Sequence, residues 1–139
     1  MFSDKDSFVT NKKIMKTLKN ILLINALSSG ATGLGLIVFA SFLAPLFGVS
    51  VLEPFWIMGL FLVLFAGIVF YQSGRNPISP KGVTFIITLD ILWVITSFVI
   101  VIFQLYDLSI LGYILIGAVA LWVAGMAFFQ AKGLKQLTV

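Results

Sequence analysis

Val83–Leu105 reads VTFIITLDILWVITSFVIVIFQL, and this stretch decides the fold. It is apolar almost throughout and long enough to cross ~30 Å of hydrocarbon as a helix. It also holds one carboxylate, Asp90, near its middle. A charged side chain at bilayer depth is costly, so an acid kept there marks a candidate functional site.

The rest of the chain repeats the pattern. Apolar runs extend over Ile21–Phe47, Phe55–Gln72 and Ile110–Ala131, giving four spans in all. The first is long enough to tilt, or to leave a turn in the interface. Of the 139 residues, 60% are hydrophobic and only 10% charged, and the mean hydropathy is +1.15. A soluble domain of this size leaves too much of its surface in water to hide such a composition. The expected fold is therefore an all-α, polytopic four-helix membrane bundle. Residues 1–20 form a cytoplasmic or interfacial segment, and residues 21–139 form the transmembrane domain.

Charge placement sets the threading. Lys5, Lys12, Lys13, Lys16 and Lys19 precede the first span, Arg75 and Lys81 lie between the second and third, and Lys132 and Lys135 follow the fourth. These are all 9 basic residues. The other two connections carry only Glu53 and Asp107. The positive-inside rule then puts both termini and the middle loop in the cytoplasm. Lysines ahead of an apolar run also resemble a secretory signal, but the run continues well past Ala26-Leu27-Ser28, which favours a retained anchor. Phe8–Lys19 has a weak helical pattern, read either as a short interfacial helix or as a frayed tail. The net charge of +4 collects beside membrane helices. It therefore points to anionic lipid at the N-terminus and not to nucleic acid.

Punctuation agrees with the spans. Pro54 suits the first turn of the second span. Ser79 and Pro80 suit N-cap and N1 of the third, and Asp107 or Ser109 can cap the fourth.

The fourth span echoes the second. Gly59, Ala66, Gly67, Phe70, Tyr71 and Gln72 align with Gly117, Ala124, Gly125, Phe128, Phe129 and Gln130 at a constant offset of 58. Two hairpins, about 21–74 and 79–133, are thus expected to be parallel repeats about an axis normal to the membrane. Chance likeness between two Gly/Ala/Phe-rich helices is the plainer reading.

Small residues mark expected helix contacts, because lipid gives apolar helices no hydrophobic reason to associate. Gly117, Ala120, Ala124 and Ala127 form such a stripe on the fourth span, and Gly30 and Gly33 begin one on the first. Contacts within the bundle are the first expectation, and self-association the second.

The chemistry available is narrow. Cysteine and histidine are both absent, which removes thiol catalysis, histidine relays and the common zinc and haem ligands. No phosphate loop, dinucleotide fingerprint or nucleophile elbow is present. No cofactor, metal site or enzymatic activity is expected. Asp90, Trp93 and Ser97 share one helical face. Asn25, Ser29 and Thr32 form a polar face on the first span. Asp90 lies ~13 Å along its helix from Lys81, and Asn25 ~9 Å from Lys19, so the two faces lie at similar depth. A neutral Asp90 is expected to donate to Asn25, Ser29 or Thr32, fixing helix register. The sharper reading is a proton- or cation-binding site on a transport path. Trp93 and Trp122, at mid-depth, either fill the core or line an apolar ligand pocket.

Asp90-x-x-Trp93-x-x-x-Ser97 on a third span, with Gln130-x-x-Gly133-Leu134 ending a fourth, resembles small, uncharacterised four-span proteins of the bacterial inner membrane. The resemblance implies a four-helix membrane fold in that membrane and no particular activity. Small multidrug-resistance transporters share the size and span count, but their essential carboxylate is a Glu of the first span, where this chain has no acid. Two functions follow. One is a non-enzymatic bundle, either an accessory subunit of a larger membrane complex or a binder of lipid-like ligands. The other is a small, dimeric, proton- or cation-coupled transporter that uses Asp90.

Overall fold

The computed structural model describes the backbone of residues 4–138 and the side chains of residues 9–137. Residues 1–3 of the N-terminal segment and Val139 lie outside the described residues. Among the described residues there are five α-helices: α1 (Asp4–Val38), α2 (Ala40–Phe47), α3 (Glu53–Ser73), α4 (Pro80–Ile102) and α5 (Ile110–Thr138). A single 3-10 turn, Leu105–Asp107, lies between α4 and α5. Helices α1, α3, α4 and α5 are each long and apolar enough to cross a membrane. The protein is an all-α membrane bundle of four spanning helices.

The sequence sets most boundaries. Ser79 Oγ accepts from Gly82 N at 3.2 Å, with Pro80 opening α4. Ser109 Oγ does the same for Gly112 N at 3.0 Å and starts α5. At the end of α2, Gly48 takes the left-handed conformation with φ 73°, while Val49 N–H donates to Ala44 O and Gly48 N–H to Pro45 O. That is a Schellman close, which a Cβ at Gly48 would strain.

One boundary takes the second form that the sequence allows, and another differs from the expectation. The first apolar run is not one helix. It bends at Phe39, and the short α2 then packs Ala40 and Ala44 against Phe55. Pro45, which has no N–H to give, is accommodated within this separate helix. The fourth helix does not stop near Ala131 but runs on to Thr138. Its continuation covers the N-terminal half of α1. Leu18 and Leu22 are fully buried in a cluster with Ile78 and Val83, with Met15, Leu134 and Leu137 packed against it. The lysine-bearing stretch is therefore one helix with the first span. Lys12, Lys13 and Lys16 face outward while Leu18 faces the core.

The helices do not meet evenly. Helix α1 packs along most of α3, α4 packs on α5, and α1 joins the two pairs by packing on α5. Helices α3 and α4 touch at few places, and the backbones of α1 and α4 make no close approach. The α1–α3 seam is the tightest. A Cβ on Gly33 would lie 2.7 Å from Gly59 O, and one on Gly59 would lie 2.6 Å from Gly33 O. The two backbones therefore touch directly, as small residues allow in a membrane. Gly30 continues this seam against Ala66.

The ends are tied as well. Lys19 Nζ donates to Asn76 Oδ1, joining α1 to the middle connection. At the opposite end, Ser109 N–H donates to Phe47 O at 2.9 Å and Ser109 Oγ to Leu46 O at 2.5 Å. The outward faces are greasy, with Leu27, Leu64, Ile95, Leu121 and Phe128 all exposed. Such faces suit lipid.

Candidate functional site

Three helices send one polar side chain each to a common point. Asn25 of α1 is 1% exposed, Asp90 of α4 is 2%, and Gln130 of α5 is 0%. Asn25 Nδ2 donates to Asp90 Oδ2 at 3.0 Å and to Gln130 Oε1 at 2.9 Å. Gln130 Nε2 donates to the same Asp90 Oδ2 at 2.8 Å. Ser29 Oγ, one turn along α1, donates to Asn25 Oδ1 at 3.2 Å. Each amide thus accepts as well as donates, as buried polar groups require.

This hub does structural work. Helices α1 and α4 lack backbone contact, so Asn25 and Asp90 bridge a gap that packing leaves. Interhelical bonds of this kind are worth about 1 kcal/mol each in a membrane. The hub also fixes rotation, because turning any one of the three helices breaks at least two of its bonds.

The polarity of the bonds differs from the sequence expectation. Asp90 donates to none of Asn25, Ser29 or Thr32. It accepts twice, and both bonds fall on Oδ2. Among the described residues, no donor reaches Oδ1. Asp90 also lines a small crevice with Ser29, Phe61, Phe65, Leu89 and Trp93, among others. Its free space is about 20 Å³, room for about one water-sized group. Most of its lining comes from α3 and α4, with Ser29 of α1 and Val123 of α5 completing it, and Phe61 and Trp93 stack with 6.2 Å between centroids.

Among the described residues, two buried side-chain polar atoms have no hydrogen-bond partner: Trp93 Nε1 and Gln72 Oε1. Both belong to this same seam. Trp93 is on α4, one turn beyond Asp90. Gln72 is on α3 against Gly82 of α4, where a Cβ would meet its side-chain amide. Buried polar atoms ordinarily have a partner, so both stand out.

The other expected site residues scatter. Ser97 is buried further along α4, away from the hub's hydrogen bonds. Thr32 is exposed on the outside of α1. Trp122 is 51% exposed and does not line the crevice that Trp93 lines. Among the expected packing residues, Gly30 and Gly33 lie in the α1–α3 seam, and Ala120 and Ala127 are buried. Ala124 is half-buried, and Gly117 has open space where its side chain would be.

Gln130 is the residue that reasoning from spacing misses. It ends the repeated Phe-[Tyr/Phe]-Gln pattern and opens the Gln130-x-x-Gly133-Leu134 motif, and neither signal points to Asp90. Its aligned mate, Gln72, has quite different surroundings. Among the described residues, no three His, Cys, Asp or Glu side chains gather as a metal site would require. The hub's chemistry is hydrogen bonding by one carboxyl and two amides. No protein-family model matches the chain, and no curated protein or solved structure matches it either.

Proposed function

We propose that the protein is a non-enzymatic integral membrane protein that binds a lipid-like ligand from the side, in the seam between α3 and α4. It does so alone or as a subunit of a larger membrane assembly. One observation carries the reading. Two helices whose backbones seldom come close flank a crevice at a buried carboxyl, whose second oxygen has no donor among the described residues. A bundle evolved only to be rigid gains nothing from an open seam beside its one intramembrane acid. Ligand sites combine an apolar lining with a few placed polar groups, and between helices of a bundle is a common place for them. A lone carboxyl with two amides is a poor catalytic set, which supports binding over chemistry.

Native mass spectrometry of the gently extracted protein tests this. An apolar adduct, one per chain, is expected on the wild type. It should be lost from Val123→Phe, which fills the crevice from α5. A bare wild-type chain, or an adduct indifferent to Val123→Phe, sinks the proposal.

The unoccupied Asp90 Oδ1 also supports the second reading, a dimeric proton- or cation-coupled transporter. In that case Asp90→Asn should stay folded but lose proton-driven uptake in reconstituted vesicles. For location, we read a bacterial inner membrane with both termini cytoplasmic. The support is that all 9 Lys and Arg fall at the termini and in the middle loop, and that Lys19 and Asn76 join two of these regions at one end of the bundle. A periplasmic reporter fused after Val139 should be inactive.

A further inference from the structure

The polar end of that ligand can be specified from the same seam, and the inference rests on the ligand-binding reading above. Beside the crevice stand one acceptor without a donor and one donor without an acceptor. With Asp90 ionised, the acceptor is its Oδ1, which no donor among the described residues reaches, since both hub amides donate to Oδ2. The donor is the indole N–H of Trp93, buried without a partner. They lie three residues apart on one face of α4, and both residues line the crevice.

Size and chemistry then select the group. The free space of about 20 Å³ takes one heavy atom with its hydrogens. A phosphate headgroup or a quinone ring is too large. An ammonium fits the space but has no lone pair for the indole, so the Trp93 N–H stays unsatisfied. An ether oxygen can accept from Trp93 but offers nothing to Asp90. A hydroxyl does both with a single oxygen, donating one O–H and accepting one N–H. We propose that the crevice between α3 and α4 is a site for the terminal hydroxyl of a lipid alcohol, with Asp90 Oδ1 as acceptor and Trp93 Nε1 as donor. The apolar body of the alcohol lies in the seam against Phe61.

The test reads Trp93 alone. Trp56 and Trp122 are both exposed on the outside of the bundle, so Trp56→Phe and Trp122→Phe leave Trp93 as the single tryptophan. This protein, in lipid nanodiscs, is titrated with 1-dodecanol, dodecyl methyl ether, dodecane and dodecylamine, each at measured mole fraction in the bilayer. A saturable change in Trp93 emission is expected with dodecanol. The ether and the alkane should bind at least about tenfold more weakly, for want of a hydrogen bond to a carboxyl. Equal binding of alcohol, ether and alkane overturns the hydroxyl proposal while leaving an apolar ligand site in place. Tighter binding of dodecylamine also overturns it, in favour of a cation. No saturable response to any of the four overturns both this proposal and the lateral site beneath it.

Discussion

Helix α3 has two neighbours and treats them in opposite ways. Against α1 it is closed to backbone contact, with Gly33 and Gly59 leaving no room for a methyl. Against α4 the backbones come close at few places and side chains meet instead: Phe61 stacks on Trp93, Gln72 lies against Gly82, and Phe65 and Val69 share a buried cluster with Val83 and Ile86. Both seams lie in the same solvent, so lipid cannot explain the difference. Side chains explain it. Glycines facing each other bring helices together until their backbones touch. Between α3 and α4, large side chains such as Phe61 and Trp93 stand between the backbones and leave the small crevice beside Asp90. The tight seam reads as scaffold, and the loose one reads as the part built to admit something.

The sharpest way to test the tight seam is to add one methyl within it and one on the exposed face of the same helix. Gly59→Ala puts a Cβ within 2.6 Å of both Gly33 O and Ile37 Cγ1. The first is backbone and cannot rotate away, so α1 and α3 must separate. Overpacking of this kind costs about 1–3 kcal/mol, more than the ~1 kcal/mol that alanine returns in helix propensity. Gly67→Ala, on the same helix, meets nothing within 4 Å and should be neutral or slightly stabilising. Steric trapping in bicelles would measure both. Equal effects at the two positions would mean that Gly33 and Gly59 do not form the contact that holds the pair together.

The aligned glutamines give the next contrast. Gln130→Leu removes a donor from Asp90 and an acceptor from Asn25. It should cost about 1–2 kcal/mol. Gln72→Leu removes an oxygen that has no partner, and should change stability by less than about 0.5 kcal/mol, or raise it. The comparison also bears on the repeat. The two positions match in sequence, yet only Gln130 reaches a carboxyl.

These residues show what spacing can and cannot reveal. The four spans, the caps at Ser79 and Ser109, and the meeting of Asn25 with Asp90 were all legible, because each rests on a local rule or on a depth counted at 1.5 Å per residue. Gln130 was hidden by the same count. Taken from Lys132 as the cytoplasmic marker, it lies only ~3 Å in, far from the depth of Asp90. The marker misleads because α5 continues past Lys132 to cover Leu18, so the lysine is not at the helix end. Thr32 fails as a polar-face marker for a different reason. It points outward from α1, away from Asn25 and Ser29, which are buried. Trp122 could not be placed at all. In a span that is apolar on every side, nothing in the sequence distinguishes the lipid face from the core.

Asp90 separates the hub from the seam beside it. Asp90→Asn keeps an oxygen to accept from Asn25 and Gln130, so stability should fall by no more than about 1 kcal/mol. Asp90→Leu leaves both amides without an acceptor and should cost roughly twice that or more. If the two variants unfold alike, the hub is not held by hydrogen bonds to Oδ2, and its apparent geometry carries no weight.

The smallest effect on stability should come from the loose seam itself, and that is its most telling property. Phe61 is 44% exposed and touches α4 through its stack on Trp93. Such a pair is worth about 0.5–1.5 kcal/mol beyond the area it buries. Phe61→Ala should therefore cost on the order of 1 kcal/mol, less than the loss at Gly59 on the same helix. Its effect on access should be larger. With the ring gone, Trp93 loses its cover on the α3 side, and in the single-tryptophan protein brominated lipid should quench it more strongly than in the parent. A loss of stability as large as that of Gly59→Ala would make the α3–α4 contact a structural seam, not an entrance. Unchanged quenching would show that Phe61 does not guard the crevice. Only the combination of small cost and opened access fits a seam that the bundle can do without and a ligand can use.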